Sequence, residues 1–228
     1  MVDIFSSLTE LLAPSSCTFC AARTDGTELC ASCRDALPWN TVACPRCALP
    51  QAHDGLCAHC AQHPPPFAAA WAPFRLAPPV RQQIHALKYQ ATFRHAQLLG
   101  RLFVDRLRTR EAPVPDVVIP VPLHPTRLWR RGYNQSVELA RALRRDGLRV
   151  EPRWAQRLRR TADQIGTDAV ARRRQVAKAF AVDPRVAGLR VALLDDVMTT
   201  GATLAELART CRRAGAAEVE AWAIARAP

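Results

Sequence analysis

The chain has 228 residues, is 49% hydrophobic and carries a formal charge of +12. It can bury one sizeable core with a small module beside it. No apolar run approaches the ~20 residues that span a bilayer, which argues against membrane insertion. Met1 to Pro14 lacks the basic start of a secretory signal, so the expected location is the cytoplasm. The charge is uneven: residues 1–63 hold three Arg against six acids, a net of −3, so residues 64–228 carry +15. The densest stretch, 127–174, has fourteen Arg against five acids. Such a surface suits phosphate, either of a nucleotide-like substrate or of a nucleic-acid backbone. Against that, Arg outnumbers Lys thirty to two, and a compositional preference for Arg would place many of them on solvated helix faces.

The first element in chain order is a cysteine module. Eight of nine Cys form C-x-x-C pairs: Cys17/Cys20, Cys30/Cys33, Cys44/Cys47 and Cys57/Cys60. Two such turns complete a tetrahedral S₄ site, and soft thiolates favour Zn²⁺, with iron the minority reading. Disulfides fit poorly in a chain without an export signal. The repeated spacing favours Cys17, Cys20, Cys30 and Cys33 on one ion and Cys44, Cys47, Cys57 and Cys60 on another; pairing first with third and second with fourth stays open. His53, His59 and His63 read as bystanders. The module has too little apolar sequence for its own core, so metal is expected to supply its folding energy. It ends near 63, and 64–79 reads as a Pro-rich extended connector.

From 80 onward, helices and strands alternate. Apolar spacing predicts one or two helices over 80–110, with Lys88 at a solvated position. A β-branched strand follows at 116–122, then an amphipathic helix over 135–145. Residues 151–170 are polar and Arg-rich and read as a mobile loop; 171–179 reads as a short helix. A buried strand at 191–194, a helix over 203–214 stopped by Gly215, and a last strand at 219–225 complete an α/β pattern with a mostly parallel sheet. Cys211 reads as a buried small hydrophobe.

The run Val191-Ala192-Leu193-Leu194-Asp195-Asp196-Val197-Met198-Thr199-Thr200-Gly201-Ala202-Thr203 carries the chemistry. A strand leads to a turn and a helix N-terminus, where open N–H groups and the helix dipole favour an anion. Thr199, Thr200 and Thr203 add hydroxyls, and Gly201 allows close approach. Asp195 and Asp196 repel phosphate but accept hydrogen bonds from vicinal hydroxyls and help hold hydrated Mg²⁺. A ribose 5-phosphate fits this layout. The bland alternative is an ordinary N-capped helix with two surface acids.

This run resembles the phosphoribosyl pyrophosphate (PRPP) motif of type I phosphoribosyltransferases. The resemblance implies that Asp195 and Asp196 face the ribose and that Met198, Thr199, Thr200, Gly201, Ala202 and Thr203 form the phosphate loop. With Pro120-Val121-Pro122-Leu123-His124-Pro125, Arg127, Arg131-Gly132-Tyr133-Asn134-Gln135-Ser136, Leu87-Lys88-Tyr89 and the paired cysteines, it is similar to the ComF family, which is associated with bacterial competence. Gln175 and Thr167 depart from that pattern. The resemblance implies a type I phosphoribosyltransferase fold at 80–228 behind a double zinc ribbon at 1–63 with two structural Zn²⁺. Val121, Pro122, Leu123, His124 and Arg127 would face pyrophosphate, in a loop where a non-trans peptide is expected. Arg159, Arg160 and Arg172 would close over the site. Implied partners are Mg²⁺ with PRPP or another ribose-5-phosphate compound, and competence-machinery proteins. The reaction would be phosphoribosyl transfer, with Asp195 and Asp196 as the catalytic pair. The alternative is non-catalytic handling of single-stranded DNA by the basic surface, with Trp129 and Trp154 among its Arg residues.

Overall fold

The apolar runs of the second half become the middle of one sheet. A computed structural model describes residues 16–159 and 178–228. Strands β1 (Ala69–Trp71), β2 (Phe74–Arg75), β3 (Val117–Pro120), β6 (Arg190–Met198) and β7 (Glu218–Arg226) form a five-stranded sheet in the order β1-β7-β6-β3, with β2 also on β7. Every pairing is parallel. Strands β4 (Ala155–Arg157) and β5 (Phe180–Val182) form a separate antiparallel pair. Parallel strands are covered on both faces, which is why β3 is wholly buried and β6 and β7 are nearly so.

Side-chain alternation divides the core. Ala192, Leu194, Trp222 and Ile224 face the helices α3 (Val80–Gln90), α4 (Phe93–Arg108) and α6 (Gln135–Arg145). Val191, Leu193, Val219 and Ala221 face α7 (Ala202–Arg213), whose Leu204, Leu207 and Cys211 are buried on that side. Helices α4 and α6 approach most closely at Gly100, where an added Cβ would lie 2.8 Å from the Ala142 Cβ and 2.9 Å from the Leu139 carbonyl oxygen. Helix α5 (Pro125–Arg131) is short, and its N-cap is His124.

Four expectations change. The segment expected to be a connector supplies β1 and β2, because its apolar Ala69–Trp71 and Phe74 pair with β7. The segment expected to be a loop begins with β4, and Trp154 before it is buried. The cysteine module, which holds the short helices α1 (Ala31–Asp35) and α2 (Ala58–Gln62), shares the main core rather than lacking one: Cys17, Leu29 and Leu37 join the α3–α4–α6 cluster, and Trp39 stacks on Phe74 at 4.7 Å. The cis peptide lies at Pro78–Pro79 and not in the 120–125 loop. Most of the expected 171–179 helix lies outside the described residues. No helix among the described residues is long and apolar enough to cross a membrane.

Candidate anion site and metal centres

The sheet order creates a crevice at the carboxyl end of β3 and β6. The chain leaves β3 toward α6 on one face and returns to Val150, which bridges Val118 on the far side of β3. It leaves β6 toward α7 on the other face and returns to β7. Connections that diverge from neighbouring parallel strands leave an opening between them, the usual ligand position in open α/β sheets. Strand β6 also outruns β3, whose register ends at Pro120 opposite Leu194, while β7 accompanies it to Met198. The first residues of β6 beyond its β3 neighbour are Asp195 and Asp196.

The two carboxylates are held differently. Asp195 Oδ1 accepts from Ser136 Oγ at 3.2 Å and from its neighbour's backbone N–H at 2.9 Å. Burial, then the Asp196 charge, pushes Asp195 up to about 7, although Lys88, the Asp196 N–H and Ser136 all oppose the rise. Asp196 Oδ2 pairs with Lys88 Nζ at 2.9 Å, with side chains 10% and 28% exposed respectively. Burial is the largest influence and works against the Lys88 ammonium, but the Asp196 charge and hydrogen bond together with the Asp195 charge outweigh it, and the Lys88 pKa is raised. The lysine read as solvated is therefore the counter-ion of the pair. Its signal was weak: the only lysine before residue 178, one position beyond the buried Leu87. Ser136 and Asn134 were quoted only as part of a pattern, yet both build the site. Asn134 caps α6 through the Ser136 N–H at 3.0 Å and donates to the Val121 carbonyl at 2.9 Å.

Beyond Met198 the chain turns outward. Thr199 and Thr200 are exposed, Thr203 is half-buried, and Met198 and Ala202 are buried. Gly201 caps α7 with a left-handed φ of 71°, a conformation that glycine adopts without strain. It offers no capping side chain, and the nearest hydroxyl contact, Ala202 N–H to Thr200 Oγ1, is long at 3.4 Å. Gly201 thus leaves the first turn of α7 without a capping side chain of its own, a geometry able to receive an anion close to the two carboxylates. On the β3 side, Val121 and Pro122 are buried, whereas Leu123, His124 and Arg127 are half-buried. The Val121 N–H donates to the Leu194 carbonyl at 2.8 Å, which ties this loop to the strand bearing the carboxylates. Arg159 is exposed just past β4; Arg160 and Arg172 lie outside the described residues.

The eight paired cysteines gather into two clusters, Cys17/Cys20/Cys30/Cys33 and Cys44/Cys47/Cys57/Cys60, each with its sulfurs within 4.8 Å of one another. This is the sequential pairing, and no His joins either cluster among the described residues. Sulfurs bound to one zinc at about 2.3 Å sit about 3.8 Å apart at tetrahedral angles. Cys20–Cys30 and Cys47–Cys57 are each at 3.7 Å, well beyond the ~2.05 Å of a disulfide. Backbone N–H groups also point at sulfur: Cys33 N–H to Cys30, Cys57 N–H to Cys44 and Cys60 N–H to Cys57, all at 3.4 Å. Burial pushes the Cys17 and Cys44 thiols up, but such N–H groups prevail and bring them down to about 6 and about 7. The donor set and its geometry therefore fit zinc. Cys211, by contrast, is pushed up to about 12 by burial and is inert core.

The two tryptophans offered for nucleic-acid contact separate. Trp154 is 3% exposed, with Arg149 and Arg185 over its ring, and belongs to the core. Trp129 is 88% exposed on α5.

Residues 8–61 match the model of the double zinc ribbon domain. Over 204 residues the chain is 36% identical to the DNA utilization protein YhgH of Salmonella typhi, covering 87% of this chain and 90% of that protein. It is 36% identical over 207 residues to YhgH of Escherichia coli K12, with the same coverage. Competence protein F of Haemophilus influenzae is 35% identical over 165 residues, 65% of this chain and 69% of that protein. Among solved structures, the glutamine phosphoribosylpyrophosphate amidotransferase from B. subtilis overlays 57% of this chain on 26% of its own, at 23% identity and a TM-score of 0.36. The chain thus spans about a quarter of that protein.

Proposed function

Because the chain belongs to the ComF family, with the DNA utilization protein YhgH and competence protein F, we propose that its α/β domain is phosphoribosyltransferase-like. It binds PRPP, or another ribose 5-phosphate, at the Asp195–Thr203 turn. The observation that carries this reading is the Asp195–Asp196 carboxylate pair served by Lys88, five residues before the glycine that caps the next helix without a side chain. A diol and a phosphate on one small ligand match those two features.

In this reading Asp195 and Asp196 accept hydrogen bonds from the ribose hydroxyls. The Thr199–Thr203 N–H and hydroxyl groups hold the 5-phosphate, and the 121–127 loop faces the pyrophosphate with His124 and Arg127. Lys88 already occupies Asp196 and Asp195 is deeply buried against Ser136, so the pair suits hydroxyls better than direct metal ligation. Mg²⁺ held with the pyrophosphate beside the 121–127 loop would supply positive charge to that leaving group. In phosphoribosyl transfer the bond from the anomeric carbon to pyrophosphate breaks, and a nitrogen nucleophile forms the new bond and loses its proton. Asp195 or Asp196 stabilises the intervening positive charge, so positioning and electrostatics supply the catalysis. Eight unoxidised thiols, four for each zinc, fit a reducing compartment, and we place the protein in the cytoplasm.

The test is a thermal shift with PRPP, with and without Mg²⁺, on wild type and on Asp195→Asn/Asp196→Asn. A shift in the wild type that the double variant loses supports the site; equal shifts in both sink it. Pyrophosphate release with a panel of bases and amines then tests transfer. A second reading, handling of single-stranded DNA, is favoured by Trp129, exposed on a helix with Arg127, Arg130 and Arg131. It requires salt-dependent binding that Trp129→Ala weakens and the Asp variants retain. Proteins of the competence machinery are the partners either reading would serve.

A further inference from the structure

Arg226 ends β7 and is only 8% exposed. Its guanidinium joins two regions far apart in sequence. Nε donates to the Cys47 carbonyl at 2.9 Å; Nη1 donates to the Met198 carbonyl at 3.2 Å and to that of Ala227. Cys47 belongs to the second thiolate cluster. Met198 is the last residue of β6 and immediately precedes the turn at 199–203. Its carbonyl also accepts the Ala227 N–H at 2.9 Å, and its side chain lies under Gly201, 3.8 Å from where a Cβ would stand. The shape of the turn therefore depends on where Met198 is held.

Charge explains a guanidinium in this position. Four thiolates on one divalent zinc leave a net charge of about −2, and buried charge needs a partner. Burial pulls the Arg226 pKa down, while Cys47, Cys57 and Cys60 push it back. A planar fork also reaches all three carbonyls at once, which a lysine ammonium on a flexible stem does not do with the same geometry. The first cluster is tied elsewhere, through Leu29 and Leu37 in the helical layer and the Glu28–Arg101 pair.

We propose that Arg226 is a positioning residue that couples the metal state of the second cluster to the 199–203 turn, so that zinc loss from Cys44/Cys47/Cys57/Cys60 weakens ligand binding there. This rests on the ribose-phosphate reading above. Coupling of this kind is reciprocal: a ligand that fixes the turn retains zinc in the second cluster by the same factor, and leaves the first cluster unaffected.

The experiment uses the zinc-loaded full chain treated with N-ethylmaleimide, with and without Mg-PRPP, and follows alkylation of each cysteine by peptide mass. PRPP affinity is measured alongside by calorimetry on wild type and Arg226→Gln. The expected result is about tenfold slower alkylation of the second cluster with PRPP, no change in the first, and loss of that protection in Arg226→Gln together with about tenfold weaker PRPP binding. Protection equal in both clusters, protection that survives in Arg226→Gln, or none while calorimetry registers PRPP overturns the coupling alone. No PRPP binding by the wild type overturns the ribose-phosphate reading and the coupling with it. The wild-type arm decides the matter even where Arg226→Gln does not fold.

Discussion

The metal centres and the carboxylate turn handle buried charge in opposite ways. In the ribbons, N–H groups converge on sulfur and draw Cys17 and Cys44 down toward the thiolate form. Burial and the neighbouring sulfurs push Cys33, Cys47 and Cys60 up, a crowding that one shared cation at the centre of four sulfurs relieves. At the turn, two carboxylates crowd together, one lysine serves the pair, and Asp195 is driven up. The first arrangement is closed and suits a resident ion. The second is left electrostatically incomplete next to an open helix end, which is what a site awaiting a ligand requires. Removing charge should therefore destabilise the ribbons and relieve the turn.

The largest effect expected is from Cys44→Ser. Cys44 is fully buried, and its loss should remove one zinc and a substantial share of the about 10–16 kcal/mol that a structural zinc can supply. Metal content and chemical denaturation measure this; retention of both zincs would collapse the contrast. Next comes Lys88→Met, which strands Asp196 beside Asp195. Loss of one partner of a buried pair costs up to ~3–5 kcal/mol, and partial exposure of Lys88 reduces this to about 1–3 kcal/mol; the loss should be larger at pH 8 than at pH 5. Gly100→Ala provides a reference for packing alone. With a backbone oxygen 2.9 Å from the new Cβ, α4 and α6 must separate, at a cost of about 1–3 kcal/mol that is independent of pH.

The smallest effect has the opposite sign. Asp195 holds its proton more tightly folded than unfolded, its pKa rising from 3.8 to about 7. Its contribution to stability is thus lost as pH climbs through that window. Asp195→Asn should be more stable than wild type at pH 8, by roughly 1–2 kcal/mol, and the gap should close toward pH 4. Melting curves across that range measure it; a variant less stable than wild type at pH 8 would show that the turn is charge-satisfied like the ribbons.

Legibility in the sequence followed the range of the interactions. The C-x-x-C spacing and the Asp195–Thr203 run are local patterns, and the structure assembles both, except that β6 continues to Met198 rather than ending at Leu194, so that pairing with β7 keeps Asp195 and Asp196 on the strand. Lys88 was not legible, because an amphipathic helix gives no sign that its last turn lies over β6. Arg226 lies just past the expected 219–225 strand and gives no local signal; its role emerges only with β7 between β6 and β1 and Cys47 at its end. The strands β1 and β2 were hidden by flanking prolines, and only the parallel edge of β7 makes them strands. Trp129 and Trp154 look alike among Arg residues, and burial alone separates them.

The position of β7 also sets a timetable for synthesis. Ala69 pairs with Glu220 and Trp71 with Trp222, so the edge of the sheet beside the ribbons waits for a strand made about 150 residues later. During that interval the nascent chain already carries all eight thiols of the ribbons. Metal can be captured on the ribosome before the sheet has its centre, and non-local pairing of this kind is slow to form. The cell must therefore supply zinc early and protect exposed β-edges late, and a shortage of either is expected to show first as aggregation of newly made chains.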